Sequence, residues 1–375
     1  MTTPVRFALF YSAIFAMIGV MMPFWPLWLK SQGLGAEELG LVMALGIAVK
    51  TLANPLVAGI ADRRGERKRI IAVLSAAGIA AFSLFHWSHG FWPILLVTML
   101  FHSVWSPNMP LMESLVMQTA KHEPIDYGRV RLWGSITFVI GAWGMGQALD
   151  GSSIDIVHLI VLALIAVTFL SALALPDTRI AASASTRRPI LEVATDRTFL
   201  AFIAATALIQ ASHAVYYTFG TIHWQSVGHS EGVIGFLWAL GVIAEVILFI
   251  WGDKLVRRVG AARLIALGGI AGLIRWAGTG MTDALPALLV LQILHAFTFG
   301  ATHLGAVHFI ARRMAPEVSA TAQSLYAAVV MGLALGLAAW MSGRLYAGWG
   351  AEAYHVMAVM AGVGAAIAIA LRRRN

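Results

Sequence analysis

The sequence predicts an all-α membrane protein with twelve transmembrane helices in two pseudo-symmetric six-helix bundles. Three observations predict it. Of the 375 residues 59% are hydrophobic and 12% charged, too little polar surface to cover a water-soluble domain of this size. Apolar runs of about 20 residues, enough to cross roughly 30 Å of hydrocarbon as helix, recur along the whole chain. The second half then repeats the pattern of the first.

The runs fall near 7–29, 37–60, 69–87, 91–119, 130–150 and 154–175, then near 198–220, 231–252, 262–280, 285–311, 319–343 and 351–371. A long polar connector, 176–197, divides an N-terminal bundle, 1–175, from a C-terminal bundle, 198–375. The first run follows a short start containing Arg6 and has no small-residue cleavage site, so it reads as a retained span. With the N-terminus inside, 22 of the 26 Lys and Arg fall in inside segments, among them ADRRGERKR (61–69) and GDKLVRRVGAAR (252–263). Lys30 and Arg344 lie outside, and Lys50 and Arg275 remain in the membrane. This charge pattern places a multi-pass chain in the cytoplasmic (inner) membrane with both termini cytoplasmic. The net charge of +8 is thereby a topology signal, and no nucleic-acid partner is expected. With no cysteine, disulfides and thiolate metal sites are excluded.

The repeat is readable residue by residue. A shift of 195 positions aligns Phe24 with Phe219, Ser31 with Ser226, Gly33 with Gly228 and Gly40 with Gly235. The same shift lays ALG (44–46) on ALG (239–241), Arg63 and Gly65 on Arg258 and Gly260, and Lys50 on Glu245. A shift of 193 superposes PILLVTMLFH (93–102) on PALLVLQILH (286–295), which makes His102 the mate of His295. Two parallel six-helix halves around a midplane site are the architecture of a rocking secondary transporter.

The stretch after the second run, Ala58-Gly-Ile-Ala-Asp62-Arg63-Arg-Gly65-Glu66-Arg67-Lys68, resembles the loop motif of the major facilitator superfamily, with Ala58 and Glu66 departing from its usual residues. Within it, PFWPLWLKSQGL (23–34), YGRVRLWGS (127–135) and LHAFTFGATHL (294–304) are similar to the branch holding the lactose permeases and the 3-phenylpropionate permeases. The resemblance covers all twelve runs and implies the major facilitator fold, with Asp62, Arg63, Gly65 and Arg67 as a conformational-switch loop. The Gly-Pro signature of many drug antiporters is missing from the fifth run.

A charge at membrane depth costs at least about 2.5 kcal/mol, so Lys50, Glu113, Glu245 and Arg275 call for an explanation. Glu113 precedes Arg131 by 18 residues, a separation resembling the sugar-holding pair of lactose permease. Carried over, the two bind substrate hydroxyls or a carboxylate, since a guanidinium presents a bidentate fork. The alternative is an ion pair that locks two helices, or Glu113 neutralised by Lys50. Arg275 and His295 stand 20 residues apart, which resembles that family's coupling pair, but Thr298 occupies the place of its carboxylate. No hydroxyl protonates reversibly near neutral pH, so Glu245 is read as the proton carrier. Burial opposes its charged form and a cation such as Arg275 favours it, the competition such a group requires. A permanent structural pair of Glu245 with Arg275 is the other possibility. Lys50, Arg131 and Arg275 set three cationic positions against two glutamates, a bias toward an anion, unless Glu113 satisfies Lys50.

The run from Leu288 to Ile310 holds a stray Gln292 and three histidines. At about 100° per residue His303 lies about 80° round a helix from His295, and His308 about 220°. They therefore form no single cluster, and no metal is expected. His295, with His102 as its mate, and His303 are candidate substrate contacts; His308 reads as a packing residue. Phe24, Trp25, Trp28, Trp105, Tyr216, Tyr217 and Phe299 are either packing or a surface for an apolar ring. Catalysis would call for a carboxylate cluster, a nucleophile beside its base or histidines at helical spacing, and none is evident, so the chain is not read as an enzyme or sensor. The expectation is a proton-coupled symporter that takes up a small organic acid such as 3-phenylpropionate by alternating access, as a monomer, with the proton gradient as driving ion and no cofactor. The alternative substrate is a sugar or a nucleoside.

Overall fold

The computed structural model describes residues 1–178 and 190–372, and the regular structure among them is helical. Spans 1 to 4 are Thr3–Ser31, Ala36–Arg64, Arg67–Trp87 and Phe91–Thr119. Span 5 is Tyr127–Leu149 and span 6 Ile156–Leu173. Spans 7 to 10 are Arg197–Ser226, Glu231–Ile250, Ala261–Met281 and Leu285–Arg313. The last apolar stretch, Thr321–Leu371, is 51 residues long and holds two spans. The chain turns at Gly350, whose φ is 55°, between Leu335–Trp349 at the end of span 11 and Ala353–Arg372, span 12. Length and hydropathy alone pick out ten segments. The turn at Gly350 and span 5, whose first turns carry Arg129 and Arg131, bring the number to the expected twelve.

Four spans break in mid-course; span 11 widens to a π-helix over Ala327–Ala334, and in spans 4 and 7 local groups accept the loss. Span 4 breaks between Phe91–Trp105 and Asn108–Thr119, where proline follows Ser106 and removes a backbone donor. There Asn108 Nδ2 donates to the Trp105 carbonyl at 3.0 Å and Ser106 Oγ to the His102 carbonyl at 2.7 Å. Span 7 breaks between Arg197–Ala211 and Ala214–Ser226. Ser212 Oγ donates to the Ile209 carbonyl at 2.6 Å, and His213 Nδ1 lies 3.1 Å from that of Gln210. Span 10 widens to a π-helix over Ala296–Ala301. Irregular backbone at membrane depth is tolerated where such partners exist, and such breaks are enriched at functional sites.

Contacts gather the chain into two compact units. One is Met1–Ser185 with His229–Ala239, the other Thr186–Gly228 with Leu240–Asn375. In the first unit Trp25 stacks on Trp28 with centroids 4.4 Å apart, and Phe82, Phe85 and His158 complete a buried aromatic cluster. Trp25 and Trp28 therefore pack the interior. In the second unit Phe202 stacks on Phe309 at 4.5 Å, among Phe199, Ile265, Ile310 and Tyr326. Spans 9 and 12 approach backbone to backbone: a β-carbon on Gly269 would stand 2.8 Å from the Ala361 carbonyl oxygen. Small residues at helix contacts give this close van der Waals packing, which holds helices together where lipid offers no hydrophobic drive.

Candidate functional site

In the first unit Glu113 and Arg131 meet, as their spacing suggested. The break in span 4 and the short turn into span 5 put them 3.7 Å apart, Nε to Oε1, each side chain 31% exposed. Tyr127, one turn before Arg131, donates its hydroxyl to Glu113 Oε2 at 2.6 Å. The guanidinium carbon of Arg131 stands 3.9 Å from the ring centre of Phe15 and 5.7 Å from that of Tyr11, both on span 1. The Tyr11 hydroxyl is buried beside them with no hydrogen-bond partner among the described residues. One cation, one carboxylate, two phenols and an aromatic face thus converge, a set able to orient an anionic or hydroxylated molecule with an apolar body.

On the neighbouring helices, Lys50 is exposed and His102 half-buried. The His102 ring packs on Gly46, its Cδ2 2.9 Å from where a β-carbon would be. Lys50 follows Gly46 by one turn on span 2 and makes no ion pair or hydrogen bond among the described residues, so Glu113 does not satisfy it.

The second unit holds a connected polar core on spans 7 to 10. Arg275 is completely buried and donates three ways: Nη1 to His295 Nδ1 at 3.0 Å and to Thr298 Oγ1 at 3.1 Å, and Nη2 to Gln292 Oε1 at 2.9 Å. Its guanidinium lies over the rings of Trp276 and Tyr216, at 4.3 and 4.7 Å. A guanidinium carries no acceptor, so His295 Nδ1 must accept and the ring proton sits on Nε2. That nitrogen faces Glu245 Oε2 at 3.6 Å. Glu245 and Arg275 are thus joined through His295. No carboxylate touches Arg275 directly among the described residues.

Thr298 continues the chain. Its hydroxyl accepts from Arg275 and lies 3.0 Å from His213 Nε2. The Gln210 carbonyl can only accept, so His213 Nδ1 carries a proton and Nε2 is free to accept from Thr298. Tyr216 adds its hydroxyl to Gln292 Oε1 at 3.2 Å. His213 is the member that sequence reasoning missed. The signal was present: Gln210, Ser212 and His213 cluster inside a mostly apolar run.

The placement of His303 differs from the helical expectation. His295, Phe299 and His303 stack in one column, with centroids 5.6 and 6.1 Å apart and ring planes within 13°. A uniform α-helix would set His303 to one side, but the π-helical turn takes more residues per revolution and brings positions four apart into line. His308 stays outside this column and packs its Nδ1 on the Leu304 carbonyl at 3.0 Å.

The switch-loop residues divide. Gly65 ends span 2 with φ 68°, a conformation glycine adopts without strain, and its N–H caps the Ala61 carbonyl at 2.8 Å. The turn brings Arg67 onto Asp62 in a close ion pair, and Arg67 Nε donates at 3.0 Å to Ser114, the neighbour of Glu113. Arg63 is exposed and pairs with nothing among the described residues.

Comparison with known proteins agrees with this architecture. The model of the MFS_1 like family matches residues 5–357. The chain is 37% identical over 361 residues to a protein of Escherichia coli (strain K12) named "Probable 3-phenylpropionic acid transporter", covering 94% of each. It is 28% identical to a maltose permease of Geobacillus stearothermophilus over 381 residues, 98% of this chain and 94% of that one. The crystal structure of the nucleoside transporter NupG superposes with a TM-score of 0.86 and 16% identity over 100% of this chain and 99% of that one, a likeness of fold. From its spans, its paired polar sites and these relatives together, the chain belongs to the MFS_1 like family and is a multi-pass transporter of the major facilitator type for small molecules, not an enzyme.

Proposed function

We propose that this transporter takes up a small organic acid together with a proton, by alternating access, with Glu245 as the group that binds and releases the proton. The observation that carries the reading is the chain Glu245–His295–Arg275: a fully buried arginine linked to a carboxylate through a histidine. Ionised, Glu245 balances Arg275 across His295. Protonated, it leaves the cation unbalanced, and the core then favours a different arrangement or an arriving anion. Arg131, Lys50 and the Phe15 and Tyr11 rings suit a carboxylate attached to an aromatic body, and the name of the Escherichia coli relative agrees with that choice. An anion entering a cell that is negative inside is opposed by about 2.3 kcal/mol per charge per 100 mV, and a co-transported proton removes that opposition. The proton gradient would serve as the driving ion without a cofactor, in the cytoplasmic membrane, with both termini inside and the chain acting as a monomer.

The test uses the full chain in sealed vesicles. Glu245→Gln should abolish accumulation of phenylpropionate driven by a pH gradient while leaving exchange across the membrane intact. Unchanged accumulation would remove Glu245 from this role. A sugar or nucleoside remains the second reading, favoured by the contact of Glu113 with Arg131 and Tyr127, a pairing suited to hydroxyl groups. Competition by carboxylates but not by neutral sugars or nucleosides separates the two.

A further inference from the structure

Away from the polar cores, a cavity of about 520 Å³ opens where span 9 begins and span 10 ends. Arg263 enters it from the first turn of span 9, and Arg312 and Arg313 from the last turn of span 10. Phe309 supplies an apolar wall. Gly260 precedes the helix without a side-chain cap, so the first N–H groups of span 9 meet no side-chain acceptor from it. The three guanidiniums are exposed and make no ion pair among the described residues; their one polar contact is Arg263 Nη1 to the Val259 carbonyl at 3.5 Å.

Unpaired arginines are common at the inner edge of a membrane, so their number decides little. What lies beside them decides more. Arg263, Leu267, Ile270 and Ile274 recur at i, i+4, i+7 and i+11 and share one face of span 9. The three apolar members are 41, 40 and 55% exposed among the described residues. The basic cavity thus heads an apolar stripe open to acyl chains. Clustered cations over such a surface suit an anionic headgroup, because each Lys or Arg near it adds about 1 kcal/mol of attraction.

We infer that this cavity binds the phosphate of an acidic phospholipid headgroup, with an acyl chain lying along Leu267, Ile270 and Ile274. The phosphodiester takes charge-assisted hydrogen bonds from the arginines, and the stripe distinguishes a lipid from a soluble phosphate ester. The site is independent of the transported substrate.

Native mass spectrometry and thermal unfolding followed by tryptophan fluorescence test it on the purified full chain. Phosphatidylglycerol should stay bound and raise the unfolding temperature; phosphatidylcholine should do neither. Each of Arg263→Gln, Arg312→Gln and Arg313→Gln should weaken phosphatidylglycerol binding about fivefold, whereas Arg257→Gln with Arg258→Gln, outside the cavity, should leave it unchanged. Equal retention of phosphatidylcholine, or a triple variant that binds phosphatidylglycerol like the wild type, overturns the inference. Stabilisation by glycerol 3-phosphate equal to that by the lipid also overturns it, in favour of a soluble phosphate. Should the triple variant not fold, Arg263→Gln alone decides on the same terms.

Discussion

Thr298 stands where a coupling carboxylate was expected, and its contacts show what the hydroxyl does instead. It accepts from Arg275 and reaches His213, so it joins an arginine to a histidine that cannot touch it directly. Thr298→Val keeps the shape and removes both bonds; it should cost about 1–3 kcal/mol, the range for orphaned buried polar groups, while Thr298→Ser should retain most of it, as read by thermal unfolding. In the first unit the planar fork of Arg131 lies over Phe15 while its Nε faces Glu113. Arg131→Lys keeps the charge and loses the fork, so substrate affinity should fall by about tenfold, measured by binding to purified protein. The pairs Glu113 with Arg131 and Arg275 with His295 were legible because each lies on consecutive spans at short separation. His213 was not, since its partner Thr298 is 85 residues away and the break that turns its ring inward is invisible in hydropathy.

Elements show the same division between what composition can reveal and what it cannot. Most spans announce themselves as apolar runs, and the positive φ at Gly65 follows from a glycine between polar residues at a helix end. Span 5 is weaker by hydropathy because glycines and Gln147 dilute its apolar stretch after Arg131, and the π-helix of span 10 left no mark that a fixed 100° step could detect. That local widening changed the reading of His303 from a separate face to the end of a column under His295. The contact of spans 9 and 12 at Gly269 carries its own expectation: Gly269→Val would drive its side chain into the Ala361 carbonyl and Ala365. Overpacking of this kind costs about 1–3 kcal/mol or more, which should appear as a lower unfolding temperature with the polar core chemically untouched.

For the whole molecule, what matters is how the sites are tied to the loops. The Asp62–Arg67 pair is anchored by Ser114, and the residue before Ser114 is Glu113, so the loop and the Glu113–Tyr127 contact are joined through adjacent residues of span 4. Arg67→Gln should therefore slow exchange while leaving the substrate Kd close to that of the wild type; an equal loss of affinity would make Arg67 part of the binding site itself. The internal repeat was the most informative property of the sequence at this scale. Gly46 seats His102 in one unit, and its mate Gly241 seats His295 in the other, with a β-carbon at Gly241 only 3.3 Å from that histidine. One turn beyond each glycine stands a charge, Lys50 in the first copy and Glu245 in the second. In the language of genes, lysine and glutamate codons differ by a single base, A or G at the first position. Two equivalent seats on one backbone pattern can thus carry opposite charges through one purine, with no change in the helix around them.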